Sequence, residues 1–140
     1  MTATLRDVFA DTTFWIALVV KQDQHHDRAQ RWSLRVEGQL TTTIPVLLET
    51  TNALARPVWR AHAIALIDHV LHRPDVSVIP LSPDLWERGW DLYRNRLDKA
   101  WRLTDCVSFL VMEDAGLTDA LTADEHFRQA GFRTLLLDEP

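Results

Sequence analysis

Short apolar runs of β character recur along this sequence, and the stretches between them carry apolar residues at helical spacing. Val8-Phe9-Ala10, Leu40-Thr41-Thr42-Thr43, Val76-Ser77-Val78-Ile79, Ala120-Leu121-Thr122 and Thr134-Leu135-Leu136-Leu137 read as buried strands. Trp59, Ala63, Leu66, Ile67, Val70 and Leu71 fall on one face of a helix from Trp59 to Leu71. Gly116 and Gly131 each follow a helical run and suit the left-handed position that ends a helix. Pro80 and Pro83 mark a break before a helix that starts near Pro83-Asp84. Strand and helix alternating in this way predict an α/β domain, with a central parallel sheet of about five strands flanked by helices. No linker, low-complexity tract or internal repeat divides the chain, so residues 1–140 are expected to form one domain.

That topology sets where a ligand can bind. In open parallel sheets the binding crevice lies beyond the carboxyl ends of the strands. Asp11 ends the first apolar run and Asp124 follows the fourth, so both fall at such ends. Asp105 opens the helical run Asp105-Cys106-Val107-Ser108-Phe109-Leu110-Val111-Met112, and the stretch from there to Asp124 has room for one helix, a turn and a short strand. Glu49 lies about two turns into a helix beginning at Ile44, among Val46, Leu47, Leu48, Ala53 and Leu54.

Each acid also has a plainer explanation. Asp11, before Thr12-Thr13, and Asp124, before Glu125-His126-Phe127, are good N-cap residues. Asp105 would favour a helix dipole from the first turn. Glu49 would be a surface residue if it and Asn52 formed a narrow polar stripe. The four readings together are less natural, because all four acids fall at one predicted end of the sheet. Grouped carboxylates raise one another's pKa unless a cation intervenes. An oxygen-only donor set suits Mg²⁺ or Mn²⁺, whereas zinc prefers His and Cys. The Thr12 hydroxyl, beside the first aspartate, is expected to support a metal-bound water or a phosphate.

Composition constrains the partners only loosely. A formal charge of −5 argues at first against nucleic acid. Yet all of the fifteen basic residues except Lys21 and Lys99 are arginine, the better fork for phosphate. Divalent metal at the acids would neutralise them and leave the arginines facing a phosphate backbone unopposed. In Trp86 to Arg102, Arg94, Arg96, Lys99 and Arg102 are interleaved with aromatic residues and could guide a phosphodiester strand, with a ring for stacking. The alternative is an amphipathic helix whose tryptophans face the core or a second copy, which the spacing favours for the tryptophans. A single cysteine, Cys106, fits a small core residue and a reducing, cytoplasmic setting. The longest uncharged apolar run, Thr12 to Val20, is shorter than the roughly 20 residues a bilayer needs, and no secretory signal is evident.

Other chemistries find less support. His25-His26 has no third ligand in spacing and suits a cap or the surface, and His126 most simply begins a helix. Ser108 sits in an apolar helix without the strained turn a nucleophilic serine needs, and no Gly-rich phosphate loop exists.

The segment from Leu103-Thr104-Asp105 to Ala123-Asp124-Glu125-His126-Phe127, continuing to Gly131-Phe132, resembles the C-terminal signature of PIN-domain proteins of the VapC-like group. Val8 to Leu18 is similar to that family's first motif, and the Glu49 segment to its second. Carried over position by position, the resemblance implies that Asp11, Glu49, Asp105 and Asp124 bind metal and do the catalytic work, with Thr12 as the accompanying hydroxyl. It implies a metal-dependent endoribonuclease using metal-activated water, the toxin of a type II toxin–antitoxin pair, silenced by a VapB-like antitoxin and forming homodimers. A PIN nuclease that acts on DNA, or in RNA processing without an antitoxin, is the nearest alternative. A Mg²⁺-binding receiver domain is a further one, opposed by the lack of any lysine after Lys99.

Overall fold

The computed structural model describes residues 5–140. Five parallel strands form one sheet in the order β3-β2-β1-β4-β5: β1 Val8–Ala10, β2 Leu40–Thr43, β3 Val76–Ile79, β4 Asp119–Leu121 and β5 Arg133–Thr134. Parallel neighbours need crossover connections, and helices supply them. These are α1 Thr12–Val19, α2 His26–Ser33, α3 Ile44–Ala53, α4 Pro57–His72, α5 Pro83–Asn95, α6 Leu103–Ala115 and α7 Glu125–Gln129. Helix α1 packs against α2, α3 and α4, while α6 packs against α5, α7 and α3.

Strand β1 is wholly buried, pairing Phe9 with Thr41 of β2 and with Ala120 of β4. The core beneath it is aromatic. The Phe127 ring lies 6.1 Å from Phe9 and stands edge-on to Phe109 at 5.0 Å, and Phe109 meets Trp101 edge-on at 5.0 Å. From β1 the chain crosses to β2 and β3 on one side, then returns to β4 on the other. This reversal opens the crevice between the carboxyl ends of β1 and β4, the place where such sheets hold ligands.

The local signals explain several element ends. Thr43 and Ser82 cap α3 and α5 by accepting the N–H of Val46 and Leu85, and Pro83 occupies the first turn of α5. Gly116, at φ 68°, ends α6 in the left-handed region as the sequence predicts.

Two expectations need correction. Thr134–Leu137 is not a strand throughout, because the chain leaves the sheet after Thr134 and Leu135–Leu137 form a single 3₁₀ turn. Leu135 and Leu136 are fully buried, and the Leu136 N–H donates to Thr122 O at 3.1 Å, so their apolarity reports burial and not strand geometry. In α4 the buried positions are Ala63 and Val70, with Leu66 and Ile67 packed against the core, while Leu71 is exposed. Among the described residues no helix is long and apolar enough to cross a membrane.

Candidate active site

Asp11 follows the last residue of β1, where its N–H extends the ladder to Leu121 O of β4 at 3.1 Å. It occupies the N-cap position of α1, yet its side chain makes no capping hydrogen bond. Oδ2 instead accepts from Thr122 Oγ1 at 2.9 Å and from Thr13 Oγ1 at 3.5 Å. These two hydroxyls lie 3.2 Å apart and brace the crevice further, Thr13 Oγ1 accepting the Ala123 N–H and Thr122 Oγ1 the Asp124 N–H.

Asp11 is only 3% exposed, and desolvation drives its pKa from 3.8 up to about 7. The charges of Asp105 and Asp124 push the same way, against the Thr12 N–H and the Thr122 hydroxyl. Keeping this group ionised at neutral pH and above costs the folded chain on the order of 4 kcal/mol. A side-chain cap contributes about 1 kcal/mol, and Asp11 does not make one. Helix capping therefore does not account for this aspartate.

Asp105 lies in the first turn of α6, as buried as Asp11. Its Oδ2 accepts the Arg102 N–H at 3.0 Å and lies 3.0 Å from His126 Nδ1. Burial is the largest influence on its pKa, which is raised; the Arg102 N–H and His126 oppose that and Asp124 adds to it. Asp124 does cap α7, accepting the His126 N–H at 2.9 Å, and its Oδ1 also lies 3.3 Å from His126 Nδ1. Here the capping reading and a ligand role coexist on one side chain.

His126, read from sequence as a helix-starting residue, joins the acids: one donor atom each from Asp105, Asp124 and His126 lie within 4.8 Å of one another. Among the described residues no arginine or lysine side chain pairs with Asp11, Asp105 or Asp124. Asp105, Asp124 and His126, with no arginine or lysine paired to the acids and with Asp11 near enough to feel both carboxylates, form a donor set that fits a hard divalent metal ion. The neighbouring Cys106 does not belong to that set, because burial pushes its thiol up to about 11.

Glu49 stands apart from this cluster. Its carboxylate is half-buried on α3 and meets the others through Arg102, whose guanidinium Nη1 lies 3.9 Å from Glu49 Oε2. The Thr12 hydroxyl is buried without a hydrogen-bond partner, and only the Thr12 N–H supports Asp11. It is the Thr13 hydroxyl, not that of Thr12, that hydrogen-bonds to Asp11 and accepts the Ala123 N–H. Thr13 and Thr122 were not singled out from the sequence, and His126 was weighed but read as a helix start; the sequence signal for all three is a position two residues from an expected acid.

Arg94, Arg96 and Arg102 do share one feature, a groove of about 770 Å³ that runs between the end of α5 and the start of α6. They are not all unopposed. Arg94 pairs with Asp91 at 2.8 Å, and Arg96 pairs with Asp98 at 3.0 Å while lying 4.7 Å over the Trp101 ring. The tryptophans divide: Trp101 is buried, whereas Trp86 and Trp90 are exposed, so of the two expected placements, the core or a second copy, these two do not take the core.

The profile of the PIN domain matches residues 8–133. The chain belongs to the PIN-domain family. The 23S rRNA-specific endonuclease VapC20 of Mycobacterium tuberculosis is 31% identical over 125 residues, covering 89% of this chain and 95% of that protein. The crystal structure of VapC20, described as a Sarcin-Ricin loop cleaving toxin, superposes at a TM-score of 0.83 with 30% identity over the same shares of both chains. VapBC2 from Rickettsia felis bound to a promoter DNA fragment (TM-score 0.63, 10% identity, 91% and 96% covered) shares the fold, as does DNA-bound VapBC from Salmonella typhimurium (0.63, 14%, 93% and 97%). The PIN fold also removes the receiver alternative, whose strand order is 2-1-3-4-5 in place of the 3-2-1-4-5 found here.

Proposed function

We propose that this PIN domain is a metal-dependent endoribonuclease that hydrolyses RNA phosphodiester bonds, and that it is the toxin of a type II pair neutralised by a VapB-like antitoxin. Ribosomal RNA is the favoured substrate class, by likeness to VapC20. The observation that carries the reading is the convergence of Asp11, Asp105 and Asp124 at the β1–β4 switch point, with burial raising Asp11 and Asp105 and no arginine or lysine among the described residues paired with the three.

These three acids would hold Mg²⁺ or Mn²⁺, with His126 beside them and Glu49 at the rim. A divalent ion held there would lower the pKa of water enough for hydroxide to be available near neutral pH, and would supply positive charge for the leaving oxygen. The chain's own residues do the rest. Thr13 and Thr122 fix the orientation of Asp11, and the Arg102 N–H fixes Asp105. With its proton on Nδ1, His126 donates to Asp105; without it, the same nitrogen is a further donor atom toward a cation. The exposed Arg102 guanidinium is placed to take a phosphate oxygen in exchange for its long contact with Glu49. No protein nucleophile is required, which agrees with a buried Ser108 and a protonated Cys106.

The test uses purified full-length chain and labelled RNA. EDTA should stop cleavage, and Mg²⁺ or Mn²⁺ should restore it. Chelator-resistant cleavage that survives in Asp11→Asn and Asp105→Asn would overturn the reading. Growth arrest on induction, relieved by co-expression of a cognate antitoxin, tests the toxin role separately.

A further inference from the structure

Two of the crevice acids share one residue, Thr122. Its hydroxyl donates to Asp11 Oδ2 at 2.9 Å and accepts the Asp124 N–H at 3.0 Å. Thr122 is completely buried, one residue past β4, so its backbone carbonyl needs a partner there as well. That partner is the Leu136 N–H, 3.1 Å away, from the 3₁₀ turn Leu135–Leu137. The turn grips Thr122 by its carbonyl while the hydroxyl sets the acids.

Helix α2 fixes the turn. Arg28, Arg31 and Trp32 share one face of α2, and all three reach residues 136–139. Arg28 Nη1 donates to Leu136 O at 3.2 Å, and Trp32 Nε1 to Asp138 O at 3.0 Å. Arg28 Nε and Arg31 Nη1 pair with the Glu139 carboxylate at 2.9 and 2.7 Å. From α7, Arg128 donates to Thr134 Oγ1 at 3.0 Å, just before the turn begins. Burial of Leu135 and Leu136 would close the core by itself, but apolar burial has no direction. The bonds from α2 to two backbone carbonyls do, and they hold the turn in one orientation.

We propose that residues 135–139 and the α2 face that holds them form a positioning relay for the acid crevice, in which Trp32 and Arg28 act through Leu136 and Thr122 on Asp11 and Asp124. Loosening the turn leaves the Thr122 carbonyl buried without a donor, and the chain from 122 to 124 must shift to find one. That shift turns the hydroxyl from Asp11 and releases the Asp124 N–H. Contacts behind a metal ligand fix its orientation, and losing one costs metal affinity although every ligand is still present. The relay rests on the metal-dependent reading of the site for its purpose, but its test does not depend on cleavage.

Trp32→Phe keeps a ring in place and removes the bond to Asp138 O. In metal-free protein this variant should exchange the Asp124 amide hydrogen faster than wild type. Well below the melting temperature, it should bind Mn²⁺ about tenfold more weakly. Arg28→Gln, which loosens the turn at Leu136, should reproduce both changes at smaller amplitude. A double-mutant cycle separates the relay from a general loss of stability. In a Thr122→Val background, Trp32→Phe should cost no further Mn²⁺ affinity, because the hydroxyl through which it acts is gone. Equal losses in the two backgrounds would overturn the relay. So would a lower melting temperature for Trp32→Phe with Asp124 exchange and Mn²⁺ affinity at wild-type values, which would make Trp32 a core residue only. Coupling as expected in a chain that cleaves no RNA would instead sink the nuclease reading and leave the relay standing.

Discussion

The crevice between β1 and β4 and the face shared by α5 and α6 are both rich in charge, and they treat carboxylates in opposite ways. At the crevice, burial dominates and holds Asp11 and Asp105 above the ordinary range. On the helical face, Asp114 takes a bidentate pair from Arg88 at 2.8 Å and Asp98 is paired with Arg96, and both acids are held below that range by these partners. Sequence distance does not separate the two kinds, for Asp98 is close to Asp105 along the chain. What separates them is water and a guanidinium. Partners stabilise the charged forms of the paired acids, whereas burial destabilises those of Asp11 and Asp105.

Breaking the crevice should have the largest consequence. Asp105→Asn should reduce RNA cleavage by more than the roughly hundredfold expected from loss of a residue that only supports a metal ligand, with the circular dichroism spectrum unchanged. Thr122→Val, which removes the hydroxyl that holds Asp11 Oδ2, should cost about 10- to 100-fold in activity or metal affinity. A wild-type rate in Thr122→Val would mean that the brace is unnecessary.

The pH dependence of stability sharpens the contrast. Asp11 has a folded-state pKa near 7 against an unfolded value near 3.8, so the folded state binds the extra proton between those limits. Its contribution is fully present below about pH 4 and is lost as pH rises through 7, with Asp105 acting in the same direction. Metal-free protein should therefore melt lower at pH 8 than this group would allow at pH 5. Asp11→Asn should remove part of that slope and melt several degrees higher than wild type at pH 8, and added Mn²⁺ should stabilise wild type more than the variant. A melting temperature lower than wild type for metal-free Asp11→Asn would return Asp11 to a structural role. The smallest effect belongs to the helical face: Arg88→Gln should leave cleavage and melting temperature nearly unchanged, since its partners sit in solvent.

Much of this architecture was legible along the chain because its causes are local. Four strands fall within a residue of where apolar runs predicted them, and Asp11 and Asp124 stand at strand ends because a short buried strand must finish where polar residues resume. The fifth strand was overextended, since Leu135-Leu136-Leu137 is apolar for burial under a turn. The direction of Glu49 was left open by sequence, and the structure connects it to the cluster only through Arg102. For Trp86 and Trp90 helical spacing left the core and a second copy as alternatives, and their exposure removes only the core, because spacing places residues on one face without saying what meets that face.

The sequence by itself determined the alternation of strand and helix and the positions of the acids at the carboxyl edge of the sheet, because periodicity and turn chemistry act between near neighbours. Only the tertiary structure decided which groups complete the site. Thr122 reaches Asp11 across 111 positions and His126 reaches Asp105 across 21, contacts set by the β1–β4 register and the seating of α7 on α6. The same holds for the raised pKa of Asp11. Desolvation depends on everything packed around a group, and no stretch of sequence contains that information.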